Sequence, residues 1–138
     1  MKYFLFLLFV GLLTLSAFSN DKQVIACTLI LEAGGEYAEG AMQAVHEVIL
    51  NRADKRNLTP KQVCLQPKQF SCWNSKNYRK LIAKAKAHPR YAYALSIVHG
   101  KRTDITGGAD HYHAKYVRPY WASSLEKTCT IGNHIFYK

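Results

Sequence analysis

The fold depends on one stretch near the start of the chain, which reads LEAGGEYAEGAMQAVHEVILNR from Leu31 to Arg52. A double glycine separates two glutamates, Glu32 and Glu36, and the residues after it carry apolar side chains at three- and four-residue steps, as an amphipathic helix does. An apolar helix precedes the glycines, so both glutamates lie at a junction between helices. A carboxyl group at such a junction can be half removed from water and act as a general acid at neutral pH. The stretch therefore predicts an enzyme that acts on a polar polymer.

The rest of the chain predicts helices first and a small antiparallel sheet last. Periodicity, caps and breakers favour helices over residues 21–31, 38–56, 60–65, 76–87 and 90–99. After residue 105 the composition changes to glycine, aromatic and β-branched residues. Gly132-Asn133 separates two strand-like runs, 127–131 and 134–137, as in a two-residue hairpin, and 109–112 is a candidate third strand. We expect a single α+β domain.

The first residues have the pattern of an export signal. Lys2 supplies a positive charge, an apolar run follows, and Ala17-Phe18-Ser19 places small residues at a cleavage site. The run is short for a membrane span. We therefore expect residues 1–19 to be a signal peptide, residues 20–138 to form the catalytic domain, and the protein to be periplasmic or extracellular in the cell wall.

The cysteine content agrees with export. An even number of cysteines in a small exported protein favours disulfides, and four cysteines allow three pairings. We favour Cys64 with Cys72 as a local link, and Cys27 with Cys129 as a link between the two ends of the chain. A zinc site built from the four cysteines is the weaker alternative, because no Cys-x-x-Cys spacing occurs.

The net charge of +10 points to an acidic partner. Nucleic acid, anionic lipid and the carboxylate- and phosphate-rich bacterial wall all fit the sign of this charge. For an exported protein the wall is the nearest polyanion. We expect peptidoglycan as the partner of a monomer, with no nucleic acid and no stable membrane association once the signal has been removed.

Glu32 is the leading candidate for a catalytic group. The helix dipole and the apolar residues 29–31 both disfavour its charged form, and the glycines beside it let a substrate approach the backbone closely. Glu36 is a candidate for a second acid or base, a hydrogen-bonding support or a helix cap. Glu39 and Glu47 are expected on solvated faces.

Several motifs together resemble the SleB/CwlJ family of cell-wall hydrolases, which includes the spore cortex-lytic enzymes. The similar segments cover most of the chain in family order: residues 32–36, 48–52, 66–74, 107–113, 119–122 and 131–137. Two positions depart from the family pattern. Leu31 stands where glycine is common, and Gly34 stands where arginine is common.

The resemblance implies a lysozyme-like or lytic-transglycosylase-like fold that cleaves peptidoglycan between N-acetylmuramic acid and N-acetylglucosamine. It also implies that the first glutamate of the motif, Glu32, is catalytic. Glu32 would protonate the bridging oxygen and then act as a base on the attacking oxygen. Attack by the muramic acid 6-hydroxyl, which we favour, would make the enzyme a lytic transglycosylase. Attack by water would need a second carboxylate about 5–9.5 Å away, from Glu36 or Asp110.

We place four side chains along the substrate groove: Gln69, Tyr112, His113 and Trp121. His111 and His113 point the same way in a strand, but a metal needs a third ligand, so we expect no metal and no cofactor. Two other functions remain open. One is a cationic protein that binds the wall or nucleic acid without catalysis, and the other is a zinc-dependent peptidoglycan amidase or peptidase.

Overall fold

The computed structural model describes residues 21–74 and 77–138. The predicted signal peptide and the predicted start of the fourth helix, Lys76, lie outside these residues. Five α-helices precede the sheet: α1 (residues 21–33), α2 (Ala41–Arg56), α3 (Pro60–Leu65), α4 (Tyr78–Lys86) and α5 (Tyr91–His99). None of the helices in the described part of the chain is long and apolar enough to span a membrane.

Helix α2 is the central element of the fold. Ten of its residues are buried, including Val45, Val48 and Ile49, and the helix packs against α3 and α5. Gly40 begins it with a φ of 78°, and Asn57 ends it with a φ of 52°. Both positions need the left-handed conformation, which glycine and asparagine adopt most readily. Local sequence signals thus set both ends of the most buried helix.

Helix α3 begins at the predicted cap. The hydroxyl of Thr59 accepts a hydrogen bond from the backbone N–H of Gln62, and the Gln62 side chain accepts one from the backbone N–H of Thr59. Pro60 occupies the first helical position, where it has no N–H to leave unpaired. This capping box confirms the helix start predicted from the sequence.

Three strands form an antiparallel sheet in the order β1–β3–β2. They are β1 (His111–Ala114), β2 (Lys127–Ile131) and β3 (His134–Tyr137). The hairpin between β2 and β3 turns at the predicted glycine, Gly132, which has a φ of 57°. Strand β1 begins two residues later than expected. The α+β architecture, with helices first and the sheet last, is confirmed.

The two faces of the sheet have different surroundings. On the inner face, Tyr112 of β1 and Phe136 of β3 are register partners, and Phe136 is fully buried against Ala44 and Val48 of α2. On the outer face, His111 and His113 lie against Trp121, which belongs to a 3₁₀ turn over Tyr120–Ser124. Successive strand residues point to opposite faces, so Tyr112 and its two histidine neighbours are separated by the sheet.

The predicted solvated position of Glu47 is wrong. Its side chain is buried, and its carboxylate accepts the backbone N–H groups of Ile105 (2.9 Å) and Thr106 (3.1 Å) and the hydroxyls of Thr103 and Thr106. A buried carboxylate is tolerated when several donors satisfy it. Glu47 therefore holds the loop that leads from α5 to the sheet.

The structure does not show the predicted disulfides, and its four cysteines are free thiols. Cys27 interacts with Tyr91 and Lys86, whereas the sulfur of Cys129 contacts the carbonyl oxygens of Ile105 and Thr106 on the sheet side. The two thiols therefore have different neighbours, and the structure does not show this pair.

The local pair, Cys64 and Cys72, is likewise present as two thiols. Burial raises the pKa of Cys27 to about 11 and that of Cys64 to about 12. These two sulfurs behave as packed apolar groups.

Candidate active site

Glu32 lies in the last turn of α1, where the helix meets the glycine loop. The N–H of Gly34 bonds to the carbonyl oxygen of Ile30 at 2.8 Å. A Cβ at Gly34 would lie only 2.4 Å from that oxygen, so the backbone can turn here only with glycine. The side chain of Glu32 is half-buried, which leaves its carboxylate both held by protein and accessible to water.

Tyr112 binds the Glu32 carboxylate directly. Its hydroxyl donates to Oε2 at 2.7 Å, across 80 positions of sequence. The tyrosine ring is stacked on Phe136 at 5.6 Å and meets the edge of His134 at 5.0 Å. Burial, and then the neighbouring Glu32 carboxylate, raises the pKa of Tyr112 well above its ordinary value. Tyr112 is therefore a permanent donor that orients the carboxylate.

Arg52 supplies a buried positive charge near the same carboxylate. It is 6% exposed, its Nε donates to the carbonyl oxygen of Asp110 at 2.6 Å, and its guanidinium lies 5.2 Å from the centre of the Phe70 ring. Burial lowers the pKa of Arg52, and Tyr112, Asp110 and Glu32 act in the opposite direction. Within the described residues, its Nη1 has no hydrogen-bond partner.

The arrangement gives Arg52 two roles. It fixes the backbone at the entry to β1, two residues before Tyr112, and it compensates the negative charge of Glu32. Arg52 is not among the site residues predicted from the sequence. An arginine on the apolar face of α2, directly after Asn51, is the signal that could have identified it.

Cys72 is a further neighbour of Glu32. Burial, and then the Glu32 carboxylate, raises the pKa of the Cys72 thiol far above its ordinary value. The thiol is therefore protonated at neutral pH and is a poor nucleophile. Next to it, the indole N–H of Trp73 donates to the Thr28 hydroxyl at 2.8 Å, which ties the 3₁₀ turn Ser71–Asn74 to α1.

Glu36 acts as a link between the glycine loop and the hairpin. Its carboxylate accepts the backbone N–H of Asn133 at 3.0 Å and that of Ala38 at 3.3 Å. The bond from Asn133 is the main cause that lowers the pKa of Glu36. A Cβ at Gly132 would lie 2.7 Å from this carboxylate, so the hairpin can approach it only through glycine. Of the roles considered for Glu36, hydrogen-bonding support agrees best with these contacts.

His134 lies on the inner face of the sheet and interacts electrostatically with both glutamates. Burial lowers its pKa, while Glu36 and Glu32 raise it to a smaller extent. The balance favours the neutral ring at pH 7. Its Nδ1 is buried without a partner among the described residues.

The other predicted groove residues contact other parts of the protein. Nη1 of Arg56 donates to Oε1 of Gln69 at 2.7 Å, on the α2–α3 side of the fold. On the outer face of the sheet, Nε2 of His113 pairs with the hydroxyl of Tyr137 at 2.9 Å, and Trp121 packs edge-on against Tyr137 at 5.6 Å. The alternation of side chains along β1 is the signal that separates His113 from Tyr112.

Asp110, the other candidate for a second carboxylate, is engaged in ion pairs. Its two oxygens lie 2.7 Å from Nζ of Lys55 and 2.8 Å from Nδ1 of His111. Burial would raise the pKa of Asp110, but the hydrogen bonds from Lys55 and His111 outweigh it and lower the value. Over residues 21–74 and 77–138, no group of three or more histidine, cysteine, aspartate or glutamate side chains is arranged to hold a metal ion.

The chain is similar in sequence to a known protein family. The sequence profile of the Cell Wall Hydrolase family matches residues 35–137, a range that begins three residues after Glu32. No curated protein sequence matches the chain.

Two solved structures are similar over nearly the whole chain. The catalytic domain of the SleB protein of Bacillus cereus is 28% identical, with a TM-score of 0.61 over 87% of this chain and 91% of that one. The catalytic domain of SleB from Bacillus anthracis, described as a germination-specific lytic transglycosylase, is 28% identical, with a TM-score of 0.60 over 86% of this chain and 94% of that one. With a family profile that matches most of its length, the chain belongs to the Cell Wall Hydrolase family.

Proposed function

We propose that the protein cleaves the glycan strand of peptidoglycan as a lytic transglycosylase, with Glu32 as the single general acid and base. The observation that carries this proposal is the geometry of Glu32, a half-buried carboxyl group at a glycine-bounded helix end, oriented by the Tyr112 hydroxyl at 2.7 Å. The Bacillus anthracis relative described as a lytic transglycosylase supports the same reaction.

The proposed reaction needs one carboxyl group in two steps. Protonated Glu32 gives its proton to the oxygen that bridges N-acetylmuramic acid and N-acetylglucosamine, and the bond from C1 of the muramic acid to that oxygen breaks. The resulting Glu32 carboxylate then takes the proton of the muramic acid 6-hydroxyl, whose oxygen bonds to C1. The products are a 1,6-anhydro sugar and a free N-acetylglucosamine end, and Glu32 is protonated again.

The surroundings of the other carboxylates favour transglycosylation over hydrolysis. A hydrolase of this type needs a second carboxylate that is free to activate water or to act as a nucleophile. The Glu36 carboxylate accepts hydrogen bonds from the N–H groups of Ala38 and Asn133, and the Asp110 carboxylate pairs with Lys55 and His111. Both candidates for a second carboxylate are therefore already bound by other groups of the protein.

We further propose that the protein acts outside the cytoplasm, after removal of residues 1–19, in the periplasm or the extracellular wall. The positive charge of the chain suits the anionic wall, and the site needs no metal or cofactor for the steps above.

Digestion of purified peptidoglycan tests the proposal. The wild-type protein should lower the turbidity of the suspension, and Glu32→Gln, which keeps the shape of the side chain but cannot donate the proton, should not. Mass analysis of the products gives the reaction class: an anhydro product is lighter by one water than the product of hydrolysis. Binding without clearance by either protein would identify a non-catalytic wall-binding protein. Released peptides and sensitivity to a chelator would identify a zinc-dependent amidase or peptidase.

A further inference from the structure

Arg90 ties the loop after Glu32 to the start of α5. Its Nη1 donates to the carbonyl oxygens of Gly34 (3.2 Å) and Glu36 (2.7 Å). These two carbonyls belong to the loop that links the proposed catalytic residue to α2. Arg90 therefore fixes the centre of this loop, and it also fixes the backbone from which the side chains of the loop project.

The same guanidinium supports two tyrosine rings. It lies 4.7 Å from the ring centre of Tyr37 and 5.3 Å from that of Tyr93, distances typical of cation–π contacts. Tyr37 is 75% exposed and Tyr93 is 41% exposed, and the Tyr93 hydroxyl accepts a hydrogen bond from Gln43 at 2.6 Å. The result is a rigid, solvent-facing aromatic surface with a positive charge beside it.

The Tyr37–Arg90–Tyr93 surface has hydrogen-bond donors and an exposed aromatic ring that are available to an external group. Within the described residues, Arg90 finds acceptors for Nη1 only, so Nε and Nη2 keep donors for an external group. A tyrosine that leaves three quarters of its surface in water contributes little to the core. The surface thus offers an aromatic face and a guanidinium edge that the fold itself does not use.

The position of this surface relates it to the proposed reaction. Tyr37 follows Glu32 by five residues, so the two Cα atoms are at most about 18 Å apart. A polymer bound at Glu32 extends well beyond the bond that is cleaved. A strand that runs from Glu32 toward Tyr37 would bring its neighbouring units to this surface.

We propose that the Tyr37–Arg90–Tyr93 surface binds the glycan strand next to the cleavage point. The apolar face of a sugar ring stacks on Tyr37, and Arg90 receives a carboxylate of the muramic acid or its peptide. This inference rests on the proposed function, because it takes peptidoglycan as the ligand. An exposed ring beside a guanidinium matches a polymer that combines sugar rings with carboxylates.

Binding is measured in the Glu32→Gln background by sedimentation with insoluble peptidoglycan, so that digestion does not interfere. Tyr37→Ala should weaken binding about three- to tenfold, the loss expected for one aromatic contact, while Tyr37→Phe keeps the ring and should bind as the parent does. Tyr116→Ala is the matched control, because Tyr116 is 88% exposed on the loop after β1, and it should leave binding unchanged.

Kinetics with the Glu32-containing protein give a second readout. Tyr37→Ala should raise the half-saturating peptidoglycan concentration about three- to tenfold with little change in maximal rate, as expected when uniform substrate binding is lost. A soluble peptidoglycan fragment should compete better than an N-acetylglucosamine oligomer of equal length, which has no carboxylate. Equal competition would overturn the role of Arg90.

The outcomes separate this inference from the proposed function. A wild-type protein that digests peptidoglycan, with Tyr37→Ala equal to it in binding and half-saturation, overturns the inference alone. The same holds if Tyr116→Ala loses as much binding as Tyr37→Ala. If the wild-type protein digests nothing but binding still depends on Tyr37, the proposed reaction fails and the binding surface stands.

Discussion

Tyr112→Phe is the most informative single change, because it removes one oxygen atom from the candidate site. The variant loses the 2.7 Å hydrogen bond to Oε2 of Glu32. The phenyl ring keeps its stacking on Phe136 and its edge contact with His134. Any change in activity therefore reports on the hydrogen bond and not on the packing of the sheet.

The size of the effect follows from the chemistry of that bond. A hydrogen bond from a hydroxyl to a carboxylate contributes about 1.5–3 kcal/mol. If this whole free energy stabilised the transition state, its loss in Tyr112→Phe would lower turnover about 10- to 150-fold. Glu32 is half-buried, so water can partly replace the lost donor, and we expect a fall of about tenfold. The free energy of unfolding should fall by about 1 kcal/mol, because a buried hydroxyl is removed together with its bond.

A matched control separates the loss of this hydrogen bond from the general effect of removing a tyrosine hydroxyl from the sheet. Tyr137→Phe is the matched control, since its hydroxyl binds His113 on the outer face of the same sheet. Wild-type turnover for Tyr112→Phe would refute the assignment of Tyr112 as the residue that orients Glu32.

Three other changes test the supports of the site and the state of the thiols. The N–H of Asn133 lowers the pKa of Glu36 in the folded protein. The carboxylate therefore stabilises the fold at pH values above its pKa in the unfolded chain, about 4.3, and this stabilisation is lost as the pH falls through the lower pKa of the folded state. Urea unfolding should therefore show Glu36→Gln to be less stable than wild type by only about 0.5 kcal/mol at pH 7, since the carboxylate is largely solvated. Near pH 3 the two proteins should be equally stable, and a difference that persists in acid would contradict this. Glu47→Ala removes the acceptor for four donors and should cost about 3–5 kcal/mol in the same assay, whereas a loss below about 1 kcal/mol would show that the loop does not depend on it. Burial of the Cys27 and Cys64 sulfurs predicts slow alkylation of the native protein at pH 8 and rapid reaction of all four thiols in denaturant; fewer than four reactive thiols would mean that a disulfide forms.

The elements that were predicted well are those with local signals. The capping box at Thr59, the glycine before α2 and the Gly132 turn each specify a boundary through residues that are neighbours in sequence. The α+β class and the likeness to SleB/CwlJ enzymes followed from the same short segments and are confirmed. Backbone conformation at caps and turns depends on few side chains, so it can be inferred before any long-range contact is known.

The elements that were predicted poorly depend on distant contacts. Glu47 looked like a solvated helix residue, but the loop around Thr106, 59 positions later, provides its buried donors. Cysteine count and export favoured disulfides, but helix packing places Cys27 and Cys129 in different neighbourhoods. No pattern within the helix or around each cysteine contains this information.

The sequence by itself determined the order of helices and strands and the family, and it predicted Glu32 as the catalytic group. Tertiary structure alone decided which residues accompany that glutamate: it brought Tyr112 across 80 positions to its carboxylate, buried Arg52 nearby, and left His113 and Trp121 on the far side of the sheet. The physical reason is that caps, turns and periodicity act within a few residues. The partners of a catalytic group, in contrast, are set by which faces of α1, α2 and the sheet pack together.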